Sequence, residues 1–325
     1  RQTNYYLAQG RGIRRTVTLF DSIEDLVAEN DRRYDDNDDT ATIDQERLQI
    51  GYDILIRTLP WLLKTSSNVE HDDYTRMLKM LRQGADGAQG DDTSKLKTLI
   101  ADWVNRELKL NTPVDPDDKH SRGFISNACG KLLCLAELDW NSPVYVVHSE
   151  TSSNTNCYIV TDLSFPAFLY EKYTANLDNL EEGLFKGKIL VQGYKAVFTS
   201  PSSAKNIEGD GDGADVIENN RRTKTALGIK VKKHVRFALS SVTSWRTVDG
   251  NFNYVQFWWS IVDFFERPPG REAQRRVNRL LEWWTRKVFG RSRREDLSDA
   301  ARSTMSVNAL ARQRAQLNDA AFDLN

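Results

Sequence analysis

The sequence predicts a mainly α protein, a multi-helix globular domain with at most one small β-hairpin. Three observations lead there. Apolar residues recur at helical spacing through most of the 325 residues. Strand-like character is confined to Val144–Val147 and Tyr158–Val160. With 39% hydrophobic and 28% charged residues, the chain is too apolar for wholesale disorder and too polar for a membrane protein.

Asp21 and Ser22 open the first expected helix, which runs to about Arg33 with Ile23, Leu26 and Val27 on its apolar side. Tyr34–Thr42, rich in aspartate, reads as a loop or disordered patch. A second helix spans about Asp44–Leu59 and stops at Pro60. A third runs over about Asn68–Gln83, with Tyr74, Met77, Leu78 and Leu81 on one side and Gly84 as its stop. Asp92 or Thr93 caps a fourth, which ends at Leu108 and carries Leu96, Leu99, Ile100, Trp103 and Val104. Pro113, Pro116 and Gly123 mark Asn111–Phe124 as a connection, and the two strand candidates that follow form the expected hairpin.

Leu184, Val191, Tyr194 and Phe198 indicate a helix that ends before Pro201, and the Gly- and Asp-rich Lys205–Asn220 an exposed loop. Val231, Val235, Ala238, Val242 and Trp245 space out another helix. Asp249-Gly250-Asn251 turns the chain into an aromatic helix, Phe252–Glu266. Pro268-Pro269-Gly270 separates that helix from Arg271–Phe289. Residues 1–294 thus read as one helical domain and 295–325 as a polar tail, loosely helical or disordered.

The formal net charge of −1 hides a segregation. Residues 1–200 carry 23 basic and 31 acidic side chains; residues 219–294 carry 18 basic against 5 acidic. The acidic counterpart is 21–46, with 11 Asp and Glu opposed only by Arg32 and Arg33. A basic block of this size attracts polyanions whatever the overall pI. It also suits docking on an acidic protein partner or on the chain's own acidic segment.

On a helical wheel, Arg271, Arg275, Arg279 and Arg286 fall within about 80° of one another, and Val277, Leu280, Leu281, Trp284 and Val288 lie on the opposite side at about 180–280°. Arg291, Arg293 and Arg294 extend the charge past the helix. Such a stripe can hold a phosphate backbone through guanidinium contacts, without reading sequence and with strong salt dependence. A solvated face, an anionic membrane surface and an acidic protein patch remain open as well. Arg221, Arg222, Lys224, Lys230 and Lys233 form a second basic element. Its Leu227-Gly228-Ile229 resembles the turn of a helix-turn-helix, although His234 stands where that motif expects an aliphatic residue. The candidate nucleic-acid (DNA or RNA) contacts are these five residues together with Arg271, Arg275, Arg279, Arg286, Arg291, Arg293 and Arg294.

Other motifs fail on inspection. Gly84-Ala-Asp-Gly-Ala-Gln-Gly90 has the wrong spacing for a phosphate loop and lacks the Lys-Ser/Thr ending. Asp35, Asn37, Asp39 and Glu46 match four EF-hand positions, but Thr40 stands where the loop needs glycine. Cys129 and Cys134 suit buried thiols better than zinc ligation, and three cysteines favour a reducing compartment. No hydrolase elbow or His-Glu-x-x-His is present. No apolar run reaches the roughly 18 residues of a spanning helix. The chain begins with Arg1 and shows no signal-peptide pattern. The expectation is an intracellular, non-enzymatic binding protein without cofactor or metal, in nucleus or cytoplasm.

Several strings taken together carry a resemblance. They are Gly84–Thr93, Arg122-Gly-Phe124, Gly130–Cys134, Phe168-Leu-Tyr-Glu171, Thr199–Ala204, Arg236–Ser241, Ser244-Trp-Arg246 and Ile261–Glu266. Over roughly Tyr5 to Arg294 the chain resembles an uncharacterised domain family, a domain of unknown function expanded in basidiomycete, mushroom-forming fungi. The resemblance implies a fungal source and a domain of conserved length. It implies no activity, cofactor or catalytic residue.

Overall fold

The computed structural model describes residues 2–18, 20–35, 41–66, 68–140, 160–199, 201–205, 224–289 and 298–322. Its first five helices are α1 (Gln2–Thr16), α2 (Ile23–Asp35), α3 (Ile43–Thr58), α4 (Trp61–Ser66) and α5 (His71–Leu108). Then come α6 (Asn127–Leu133), α7 (Lys188–Phe198) and α8 (Lys224–Leu239). The hairpin β1 (Val248–Asp249) and β2 (Phe252–Asn253) precedes α9 (Tyr254–Glu266), α10 (Gly270–Phe289), α11 (Asp299–Thr304) and α12 (Ser306–Phe322).

Local chemistry sets the starts of α2 and α3. Ser22 Oγ accepts from the Asp25 N–H at 3.0 Å, and the Asp25 carboxylate accepts in return from the Ser22 N–H at 3.4 Å. Thr42 and Gln45 form the same reciprocal box ahead of α3. Each box satisfies amide donors that the first helical turn leaves unpaired.

The expected break at Gly84 is absent: α5 is one helix of 38 residues, about 57 Å long at 1.5 Å per residue. Gly84 serves packing instead. A Cβ there would lie 2.1 Å from the Leu7 carbonyl oxygen of α1, and one on Gly10 would lie 2.0 Å from that of Leu81. The two backbones touch where side chains would hold them apart. Around this contact Arg11, Arg14 and Arg15 of α1 reach Asp91, Asp86 and Asp92 of α5, at 2.6, 2.8 and 2.5 Å. Asp92 and Thr93 are therefore mid-helix residues rather than caps. Asp92 is buried and takes the Arg15 guanidinium with both oxygens.

α5 is shared by two apolar clusters. Its N-terminal half, with Met77, Leu78 and Leu81, packs with Ile13, Leu26, Leu55 and Leu62. Its C-terminal half, with Leu96, Ile100, Trp103 and Val104, enters a larger core with Leu132, Phe168, Ile189, Val235, Phe257 and Trp284. Arg47 of α3 links the two regions: its guanidinium lies 4.1 Å from the Trp259 ring centroid and bonds Asp263 of α9 at 3.1 Å.

Two further expectations change. α8 runs without interruption through Leu227-Gly228-Ile229, so the helix-turn-helix reading fails. It ends at Leu239, short of Val242 and Trp245, where Ser240, Ser241 and Thr243 favour bonding to nearby backbone over continuing the helix. Ser240 Oγ does so, donating to the Phe237 carbonyl at 2.9 Å. Residues 141–159, which include Val144–Val147 and most of the second strand candidate, lie outside the described residues. The hairpin that is described turns instead at Asp249-Gly250-Asn251, where Gly250 adopts φ +58°. The tail takes the helical alternative in α11 and α12.

The two kinds of glycine in α5 should separate in a denaturation series. Gly84→Ala is expected to lose about 1–3 kcal/mol by forcing the helices apart. A Cβ on Gly90 meets nothing within 4 Å, so Gly90→Ala should gain up to about 1 kcal/mol of helix propensity. Urea midpoints of the two variants check the contrast, and equal shifts would contradict the close-contact account.

Candidate functional site

α10 divides as its wheel requires. Ala273, Val277, Leu280, Trp284 and Val288 are buried, and Trp284 Nε1 donates to the Phe185 carbonyl at 3.1 Å. Arg271, Arg275 and Arg279 are exposed along the outer side, one every four residues and hence about 6 Å apart along the axis. Arg275 pairs with Glu272 one turn earlier, and neighbouring Arg276 takes Glu181 at 2.5 Å. Arg286 is half-buried, 3.9 Å from Glu282. Among the described residues Arg271 and Arg279 have no carboxylate within ion-pair distance. Trp283, on the border of the wheel, is partly buried against the core with Lys186 over its ring.

The second basic element does not join this face. Lys233 is buried, its Nζ 4.5 Å from the centroids of both Phe20 and Trp245. It is not a surface residue able to reach a phosphate. Lys232 and Arg236 of the same helix are buried too. Arg221, Arg222, Arg291, Arg293 and Arg294 lie outside the described residues, as do the side chains of Lys224 and Lys230.

What the charge pattern conceals is a set of cations folded into the core, most of them held by aromatic faces and backbone oxygens. The Lys232 ammonium sits 3.3 Å from the Phe185 ring centroid and 4.7 Å from that of Phe265, with no hydrogen-bond partner among the described residues. Arg236 stacks 3.4 Å from Phe252 and donates to the Tyr254 hydroxyl at 2.9 Å and to Asp249 at 3.4 Å. Lys119 donates to the Val242 carbonyl and lies 3.3 Å from the Phe237 ring centroid. Among the described residues Arg122 pairs with no carboxylate. Its two terminal nitrogens serve four carbonyls: Lys97 and Ala238, both at 2.8 Å, Pro116 at 2.9 Å and Asp115 at 3.2 Å. Five donors in a rigid fork suit Arg to such a junction of α5, α8 and the 115–116 connection.

Burial penalises the charged forms of these groups. It brings the Lys119 amine down to about 7, with the charges of Arg122 and Lys97 adding to the effect. It holds Lys232 well below the usual lysine range. His234 is also depressed, by burial first and then by Lys233 and Arg15. Its Nδ1 lies 2.8 Å from Thr93 Oγ1, whose own proton goes to the Gln89 carbonyl at 2.7 Å. The neutral ring therefore donates from Nδ1.

The acidic segment has partners of its own. Glu29 is buried between Arg32 and Arg33, whose hydrogen bonds and charges hold its carboxyl at about 2. Glu46 pairs with Arg33, Asp44 with Arg47 and Glu24 with Arg82. Asn37 and Asp39 of the EF-hand match lie outside the described residues. Cys129 and Cys134 are free and buried, with thiols pushed up by burial. Among the described residues no three His, Cys, Asp or Glu side chains converge as metal ligands, and no helix is long and apolar enough to cross a membrane.

The buried amines give a pH signature. Between about 7 and the ordinary lysine value of 10.5, the unfolded chain binds a proton at Lys119 that the folded chain releases, so stability rises with pH across that window. Lys232 acts in the same sense. Lys232→Met should raise stability at pH 7 by about 1–3 kcal/mol, the cost of a buried polar group without a hydrogen bond. It should also make the rise in melting temperature between pH 7 and 9 shallower, which calorimetry would read directly.

No curated protein and no solved structure matches the chain. A family model does, over residues 83–289, from the middle of α5 to the end of α10. That span holds the larger core, the buried cations and the arginine face. The chain belongs to DUF6698, a family of unknown function.

Proposed function

We propose that the chain is an intracellular, non-enzymatic protein that binds a polyanion, with nucleic acid as the leading ligand, through the outer face of α10. The observation that carries this reading is the row of Arg271, Arg275 and Arg279 on the exposed side of a helix whose other side is locked into the core. Such a row is rigid in backbone and adaptable in side chain. It matches a phosphate backbone read by charge rather than by base edges. Arg286 adds a half-buried cation at the far end, whereas Lys233 has no part in the interface.

An acidic protein partner is the second reading. Arg275 and Arg276 already take carboxylates, Arg276 in a forked contact with Glu181, so the face accommodates that geometry. Within 21–46, Glu24, Glu29, Asp44 and Glu46 are engaged with Arg82, Arg32, Arg33 and Arg47, and Asp21 and Asp25 with Thr18 and Ser22, which favours an external partner over self-docking.

Fluorescence anisotropy with single-stranded and duplex oligonucleotides across a salt series tests the first reading. Binding should weaken with salt. Replacing Arg271, Arg275 and Arg279 together by Ala should reduce the slope of log affinity against log salt by about 2–3, roughly one for each phosphate left without its guanidinium. These side chains are exposed, so the melting temperature should hold. No binding at low salt, or an unchanged slope in the triple variant, would overturn the reading.

A further inference from the structure

Between α5 and the stretch 237–245 lies a depression of about 490 Å³, away from the α10 face and using none of its arginines. Phe237 and Trp245 form its aromatic wall, their centroids 5.4 Å apart at an edge-to-face angle of 65°. Gly90, Ser94 and Lys97 line it at successive turns of α5, with Thr93 beside Ser94. We infer that this depression binds a small aromatic anion, its ring against Phe237 and Trp245 and its carboxylate, phosphate or sulfonate on Lys97.

Four features lead to that ligand class. Lys97 is half-buried, and among the described residues no carboxylate stands within ion-pair distance of it, so its charge is open to an incoming anion. The indole of the wall is already in contact with a lysine, Trp245 with Lys233 Nζ at 4.5 Å, and Phe237 meets Lys119 Nζ, which is charged below about pH 7, at 3.3 Å. A cation beside an aromatic ring draws on its negative face, and this lowers the repulsion an anionic, electron-rich ring would otherwise meet. The one acidic side chain in the lining, Asp86, is neutralised by Arg14 at 2.8 Å. The site thus combines an apolar wall, a few polar groups and one sign of charge, the usual make-up of a small-molecule pocket.

The fourth feature is Gly90. It stands inside α5, where glycine costs helix stability relative to alanine, yet a Cβ there would meet no neighbour within 4 Å. Gly10 and Gly84 are needed for helix contact; Gly90 is not. It lines the depression, and any larger side chain would project into that space.

Two fluorescent probes of similar shape test the inference on the full chain: 8-anilinonaphthalene-1-sulfonate, an aromatic anion, and N-phenyl-1-naphthylamine, its neutral counterpart. The sulfonate should bind one saturable site. Gly90→Phe should abolish binding of both probes while circular dichroism stays at wild-type values and the melting temperature does not fall. Lys97→Glu should weaken the sulfonate roughly tenfold, as expected for loss of a hydrogen bond to a charged group, and change the neutral probe by less than about twofold. Absence of sulfonate binding to the wild type, unchanged binding to Gly90→Phe, or equal losses for both probes in Lys97→Glu would each overturn it. The triple α10 variant should bind the sulfonate like the wild type, which keeps this inference distinguishable from the polyanion reading.

Discussion

α1 and α5 meet backbone to backbone. Gly10 and Gly84 let α1 and α5 approach until a carbonyl oxygen of each occupies the place of a Cβ on the other. Helices that approach this closely exchange many dispersion contacts, and the small residues that permit it lose little side-chain entropy. The contact fixes the register of α5, and much else reads off that register. Asp92 meets Arg15, Thr93 meets His234, and the Lys97 carbonyl meets Arg122. The second of these ties α5 to α8, and the third ties both to the long connection before α6. A shift of one residue would rotate α5 by about 100° and break all three.

The buried cations of α8 depend on the same frame. Carrying Lys232, Lys233, His234 and Arg236 into a core is unfavourable for four successive or near-successive polar groups. The cost is met in different ways. Arg236 has an oxygen partner and an aromatic face, Lys233 and Lys232 have aromatic faces, and His234 is held neutral against Thr93. A neutral lysine with a four-carbon stem is largely apolar, so residues 231–239 of α8 are buried throughout although three of them are Lys or Arg. Net charge by segment therefore overstated the positive surface. The count for 219–294 includes at least Lys232, Lys233 and Arg236, none of which reaches solvent.

These two features mark what could be read from the sequence. α10 was legible because its apolar and charged residues separate cleanly on a wheel, and the described burial follows that wheel residue by residue. The starts of α2 and α3 were legible because capping is local chemistry. α1 was not, because the side it packs with consists of Gly10, Ile13 and Arg14, and a glycine contact gives no apolar period to detect. Gly84 was misread because a glycine that stops a helix and one that lets a helix approach look alike in one dimension. Lys233 was misplaced for a similar reason: its cage comes from Phe20 and Trp245, which lie outside its helix and are joined to it only by the fold. The pocket beside Trp245 had no linear signature at all, since its wall and its cation come from segments about 140 residues apart.

The arginine face and the pocket differ in the range over which they act, and that difference has a physical consequence. Exposed guanidinium groups on α10 act through a field that falls off over about 10 Å at 0.1 M salt, so their ligand must itself be a dense charge array. Lys97 acts at contact distance beside apolar walls, where water is partly excluded and a single charge suffices. Salt should erode the first interaction steeply and the second little. A molecule with both a phosphate chain and an exposed aromatic ring has chemistry for each surface, but neither surface needs the other in order to bind. The α7 and α8 helices each pack against both α5 and α10, so the two surfaces stand on one shared core.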